Sequence, residues 1–235
     1  MTEFVSSWGL PETLWLCATI VAYLLARRLQ KVFGNVPLAN PVLLAGVPLG
    51  LIIWLGNFPF ASYHLAGQVL LFLLGPATVA LAIPFHRNWR IVRSQGAPFL
   101  IAMAAGSMAT VLSGLAIAWA LGAGPDTLAS MAPKAVTTPI AIGIADQIGG
   151  IASLTAAFVI FSGVIGAMLG GPLLTLLGVK DHAARGAAYG TAAGGIGTAQ
   201  AFQEDQLAGT FAGISVTVNG VLTAILLPIL WWVFV

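Results

Sequence analysis

Apolar residues run almost unbroken along this chain, and its polar positions come in short clusters between them. No Asp, Glu, Lys or Arg occurs from Val32 to His86, from Ser94 to Pro125, from Ser153 to Val179 or from Gln206 to Val235. About 20 helical residues cross the ~30 Å hydrocarbon core of a bilayer, so each run has room for one or more crossing helices. Barrel strands would alternate apolar and polar residues; continuous runs of Leu, Ala, Ile and Gly predict helices. Eight hydrophobic segments follow, at about 12–30, 38–56, 64–85, 96–121, 131–149, 152–177, 184–203 and 207–235. The clusters RRLQKVFGN, GNFPFAS, HRNWRIVRSQG, GAGPD, GVKDHAAR and QEDQ separate them.

Composition strengthens this picture. Only 7% of the 235 residues are charged, against roughly 25% in soluble domains, and the mean hydropathy is +0.98. Sixteen charges cannot cover a soluble surface. The expected fold is an all-α polytopic membrane protein, forming a single transmembrane domain over 1–235. The lone Cys17 forms no intrachain disulfide. Arg27 and Arg28 follow the first apolar stretch, the reverse of the order in a cleavable signal peptide. A net charge of +2 gives no reason to expect nucleic acid as a partner; the lipid bilayer is the expected surrounding.

Positive residues orient the segments. Arg27, Arg28 and Lys31 mark one cytoplasmic loop, and Arg87, Arg90 and Arg93 mark another two crossings later. Lys180 and Arg185 should share that side. They do so only if one segment between Arg93 and Lys180 enters and leaves on the same side. The candidate is 131–149, which holds PKAVTTPIA and, in Lys134, the only Lys or Arg between Arg93 and Lys180. Seven crossings result, with the N-terminus outside and the C-terminus inside.

The helix breakers point to chemistry. In TTP, Thr138 as N-cap and Pro139 as first helical residue restart a helix; ten residues to Ile148 span ~15 Å, half a bilayer. Gly75-Pro76 is expected to break 64–85 near its middle, and GTAAGGIGTA to weaken 184–203 near Gly194 and Gly195. Gly75 and Thr78 match Gly195 and Thr198 at an offset of 120 residues. That suggests an inverted-topology repeat, a common build of secondary transporters, with halves at about 12–121 and 131–235. Backbone broken at membrane depth must face protein or water. The start of a half-helix offers free N–H donors and partial positive charge. Lys134, Thr137, Thr138, Thr78 and Thr198 would add a cation and hydroxyls, so a small carboxylate suits the set. A metal does not, since no carboxylate or histidine pair accompanies it, and no cofactor is expected.

Each feature also has a plainer reading. Lys134 can snorkel to the interface, and Gly75-Pro76 can be a packing kink. The Gly-x-x-x-Gly pairs, Gly46/Gly50 among them, read as helix contacts. Asp146 is either a coupling site or a loop end, and Glu204 and Asp205 read as a solvated loop. Catalytic pairs, His-Glu-x-x-His and a phosphate-binding Gly-x-x-x-x-Gly-Lys are absent from the sequence, so enzyme readings fare poorly.

PKAVTTPIA and the following IGGIASLTAAFVIFSGVIGAMLG resemble the LrgB/CidB family of bacterial inner-membrane proteins. NPVLLAG at 40–46, LLGPATVALAIPF at 73–85, GTAAGGIGTAQAF at 190–202 and AGTFAGISVTVNGVLTAILLP at 208–228 agree with it. The family pattern Gly-Thr-x-x-His-x-x-Gly-Thr-Ala falls on 190–199, where Gly194 stands in place of the histidine. The resemblance implies a holin-like or antiholin-like protein modulating murein hydrolase export and lysis, beside a separate small LrgA/CidA-type membrane protein. It also implies transport of small monocarboxylates such as glycolate, glycerate, pyruvate or lactate, as in a related plant plastid translocator. Taken with the anion site, the expectation from sequence is a secondary transporter of such anions, with holin-like regulation as the alternative and a homo-oligomer, a dimer as first guess, as the assembly. The expected binding residues are Lys134, Thr137, Thr138, Pro139, Thr78, Gly75, Pro76, Gly194, Gly195 and Thr198, with Asp146 the first suspect for ion coupling.

Overall fold

The computed structural model describes residues 8–34, 39–80, 82–87, 89–94 and 96–234. Every regular element among them is a helix. Four helices are long and apolar enough to cross a membrane: Leu10–Val32, Gly96–Ala120, Ala152–Leu176 and Gln206–Trp232. Pro41–Leu55 and Phe60–Leu73 are shorter apolar helices. The chain forms two compact units, Met1–Ala82 and Ile83–Val235.

The first unit packs α1 (Leu10–Val32) against α2 (Pro41–Leu55) and α3 (Phe60–Ala80). Glu12 bonds back to the Gly9 N–H at 2.9 Å, and Asn40 caps α2 by accepting from the Val42 N–H at 2.9 Å. Trp15 meets Phe58 and Tyr63 edge-on. Pro76 does not break its segment, contrary to the expectation from sequence: α3 runs through Gly75-Pro76 to Ala80. Pro48 likewise sits inside α2. A proline removes one hydrogen bond and bends an apolar helix, and such helices tolerate it. The surroundings of Gly75 and of the Thr78 side chain lie outside what is described. The sequence reads Gly46 and Gly50 as helix contacts, but among the described residues no atom of another element lies within 4 Å of a Cβ built on either.

The second unit contains α4 (Ala82–Arg87, from Ile83 onward), α5 (Trp89–Ser94), α6 (Gly96–Ala120), α7 (Pro125–Met131), α8 (Thr138–Ile148), α9 (Ala152–Leu176), α10 (His182–Glu204) and α11 (Gln206–Phe234). Two of its segments turn back on themselves. Ser130, at the end of α7, receives the Ile151 N–H at 2.7 Å across 21 residues. The path through the PKAVTTP turn and α8 therefore returns to where it began, as expected for 131–149. Gly149, at φ 84°, ends α8 in the left-handed conformation that glycine adopts freely.

The second reversal overturns an expectation. Segment 184–203 reads as a crossing, yet Arg185 and Glu204 form an ion pair at 2.9 Å. Nineteen residues of straight helix would hold them about 28 Å apart. The reversal is at Gly194, whose φ 55° and ψ −139° are not helical. We call the half-helices before and after it α10a and α10b. Glu204 is thus not in a solvated loop, while Asp205 alone joins α10 to α11 and caps α11 by accepting from Leu207 N–H at 2.7 Å.

Helix α9 relates the two hairpins. Its 25 residues extend ~37 Å. Hairpin one (α7, turn, α8) closes at Ile151, just before α9 begins. Hairpin two (α10a, α10b) closes beside the other end of α9: a Cβ on Gly171 would lie 2.7 Å from Glu204 Oε1, and Arg185 donates to the Val179 carbonyl at 3.1 Å. The tip of hairpin two lies at the middle of α9, where a Cβ on Gly166 would meet Ala193 at 2.7 Å and one on Gly163 would meet Ile196 at 2.9 Å. The hairpins therefore enter from opposite ends of the bundle. Phe99, Met103, Ala183 and Phe211 cluster near the starts of α6, α10 and α11, the end of the unit next to which Arg93, Lys180 and Arg185 stand in the chain.

Candidate functional site

The two tips meet. A Cβ built on Gly194 would lie 3.7 Å from the Ala135 and the Val136 carbonyl oxygens. The breaks that sequence placed in separate segments thus form one junction, enclosed by α6, α9 and α11. Val111 of α6, Val136 of the turn, Ala141, Ile144 and Ile148 of α8, Val159 of α9 and Leu227 of α11 make the apolar cluster around hairpin one. Ala141, Ile144, Ala145 and Ile148 recur at helical spacing, which turns one face of the short α8 inward.

Breaking a helix leaves carbonyls without their usual donors, and the structure shows where those carbonyls go. Four residues after Ala135 stands Pro139, which has no N–H to give. Gly194 takes the residues after it out of helical register with Thr191 and Ala192. One side chain answers both faults: Asn219 of α11, fully buried, donates from Nδ2 to Ala135 O at 3.1 Å and to Thr191 O at 3.4 Å. Ser162 of α9 reaches Ala192 O at 3.5 Å. Asn219 Oδ1 accepts from Thr223 at 3.4 Å, and the Thr223 hydroxyl is 3.5 Å from that of Ser107 on α6. Asn219 escaped the sequence reading; the signal available was a lone amide deep within an apolar helix.

Lys134 does not snorkel. Its Nζ donates to the Thr110 carbonyl of α6 at 2.8 Å. It lies where a Cβ on Gly114 would stand, so only glycine at 114 admits the ammonium there. An ammonium has three donors, and among the described residues the Thr110 carbonyl accepts from one of them. Thr137, rather than Thr138, is the N-cap of α8, and no side chain caps that helix. Pro139 occupies its first turn and is exposed, and Thr137 and Thr138 are half-buried. Thr198 is buried and donates to Gly194 O at 3.0 Å, within α10b. Gly195 has no neighbour within 4 Å of its Cβ position. Asp146 is exposed in the last turn of α8.

A second polar cluster closes the base of hairpin two. Besides the ion pair, Glu204 accepts a short hydrogen bond from the buried Tyr189 hydroxyl, and Arg185 donates to Thr175 Oγ1 at 3.3 Å and Gly171 O at 3.4 Å. All these partners belong to hairpin two or to the end of α9, so the cluster binds the hairpin's legs to each other and to the long helix.

Comparison with known proteins agrees with the resemblance read from PKAVTTPIA. Residues 19–233 match the LrgB-like family. The uncharacterized proteins YwbG and YxaC of Bacillus subtilis (strain 168) are 33% and 34% identical, over 90% and 92% of this chain and 94% of each of theirs. The antiholin-like protein LrgB of Bacillus cereus (strain B4264) is 35% identical over 89% of this chain and 91% of its own. No solved structure matches. With a family match over nearly all of its length and relatives this similar, the chain belongs to the LrgB-like family of membrane proteins.

Proposed function

We propose that this protein is an antiholin-like component of the bacterial inner membrane that modulates murein hydrolase export and lysis, working beside a small LrgA/CidA-type membrane protein. The observation that carries this reading is the 35% identity to a protein named antiholin-like, across about nine-tenths of both chains. Expression in a Bacillus cereus strain lacking its own LrgB tests it: the lysis rate should return to the parental value. A rate that stays at the deletion value would sink the reading.

The tip junction favours a second reading, secondary transport of a small monocarboxylate such as glycolate or pyruvate. Hairpins that start from opposite ends and meet midway form the kind of discontinuous segment that holds substrates in transporters. In this reading Lys134 exchanges the Thr110 carbonyl for the carboxylate. Thr137, Thr138, the first turn of α8 at Pro139, and Gly194, Gly195 and Thr198 complete the site, while Asp146 serves ion coupling. Gly75, Pro76 and Thr78 drop out of it, because α3 runs unbroken. Liposomes holding only the purified protein separate the two readings. Saturable uptake of labelled glycolate, accelerated by internal pyruvate and reduced at least tenfold by Lys134→Ala, supports transport; linear leak of unrelated solutes removes it.

A further inference from the structure

We infer that Asn219 is the positioning residue of the tip junction and gives it its preference for anions. The inference deepens the transport reading and rests on it. A broken helix exposes two kinds of backbone group. Its N–H groups attract an anion, and its orphaned carbonyls repel one. A junction that presented both would prefer neither charge. Here Pro139 and Gly194 orphan the carbonyls of Ala135 and Thr191, and both carbonyls point to the same amide. An Asn side-chain amide carries two N–H donors, and both are spent on these two oxygens. Its own oxygen is met by Thr223, which in turn approaches Ser107. The arrangement is therefore fixed from α6 through α11 to both tips.

Three consequences follow from that geometry. The tips are held to each other by one side chain from a third helix. Two carbonyls of the junction, those of Ala135 and Thr191, are neutralised from α11. The donors beside the junction are the Lys134 ammonium, which bonds the Thr110 carbonyl, and the start of α8, which no side-chain cap bonds. An aspartate at 219 has almost the same shape but can donate nothing when ionised, and it would set a negative charge against two carbonyl oxygens. Asn219→Asp should open the tips and remove anion binding together.

Amide hydrogen exchange on the full chain in lipid nanodiscs, with and without 10 mM glycolate as the probe, reads both effects. In the wild type, peptides covering 134–141 and 191–197 should exchange slowly, and glycolate should slow them further. In Asn219→Asp both peptides should exchange at least tenfold faster, glycolate should have no effect on them, and peptides at the hairpin bases near Ser130 and Glu204 should be unchanged. Tips that exchange as in the wild type overturn the inference. Looser tips that glycolate still protects overturn the anion role. If glycolate protects neither protein while the tips still loosen, the anion role and the transport reading fall together, and Asn219 is a structural pin alone. If Asn219→Asp does not yield folded protein, Thr223→Val replaces it. That change removes the donor to Asn219 Oδ1 and should loosen both tips by a smaller factor, again with weakened glycolate protection; no change in either overturns the inference.

Discussion

At the scale of single residues, the clearest dependence is between a lysine and a glycine on different elements. The Lys134 ammonium occupies the space that any side chain at 114 would fill, and a hydrogen bond from a charged group contributes about 1.5–3 kcal/mol. Gly114→Ala should therefore destabilise by about 1–3 kcal/mol, as overpacking does. The loss should be much smaller when Lys134 is already alanine, because the clash has gone with the side chain. A thermal-unfolding double-mutant cycle in detergent checks this; additive losses would show that the two residues do not share the space. Lys134 itself was legible in the sequence, being the sole cation of a long apolar stretch. Gly114 was not, because its neighbour lies 20 positions on, behind a chain reversal. Asn219 was missed for the same reason: its partners Ala135 and Thr191 are 84 and 28 residues away, and nothing local distinguishes a pinning amide from an ordinary one.

At the scale of elements, the apolar runs located the long helices closely, since a bilayer-crossing helix must be continuously apolar, but not the short helices Trp89–Ser94 and Pro125–Met131, which fall on or beside the polar separators. What the sequence reading could not separate was a kink from a reversal. Gly75-Pro76 and Gly194-Gly195 give equally strong breaking signals, yet the first lies inside a helix and the second reverses the chain. The difference comes from long-range partners: the Arg185–Glu204 pair and the contacts to α9 hold the hairpin closed. Gly194 and Gly195 should accordingly respond differently to the same change. Gly194→Ala places a side chain at φ 55° and ψ −139°, a sparsely populated conformation that costs about 1–3 kcal/mol, whereas open space surrounds Gly195. A melting-temperature drop of several degrees for Gly194→Ala, and little for Gly195→Ala, is the expected result. Equal drops would argue against a reversal centred on Gly194.

At the scale of the whole molecule, sidedness follows from counting reversals in the second unit. The charge pattern required one returning segment, and 131–149 supplies it. Hairpin two is another. Among the described residues of this unit, α6, α9 and α11 are the candidate spans, and three crossings would put the end of α11 on the face opposite Arg93, Lys180 and Arg185. The seven-crossing scheme put it on the same face. Single-cysteine labelling near Trp232, after Cys17 is replaced, decides between them: reagent added from the periplasmic side should modify it. Labelling only from the cytoplasmic side would mean that hairpin two spans.

The position of Asn219 also sets the order in which the chain can mature. Helices emerge from the ribosome one after another, and α11 follows both hairpins in the chain. Until it packs, the carbonyls of Ala135 and Thr191 have no donor, and α10a has no surface for Gly186 and Gly190, whose Cβ positions lie against Ala208 and Ala212. Both hairpins must wait as incomplete structures in the membrane for a single late helix. A nascent chain that stops short of residue 219 has its polar turns made and unsealed, the state that membrane quality control removes.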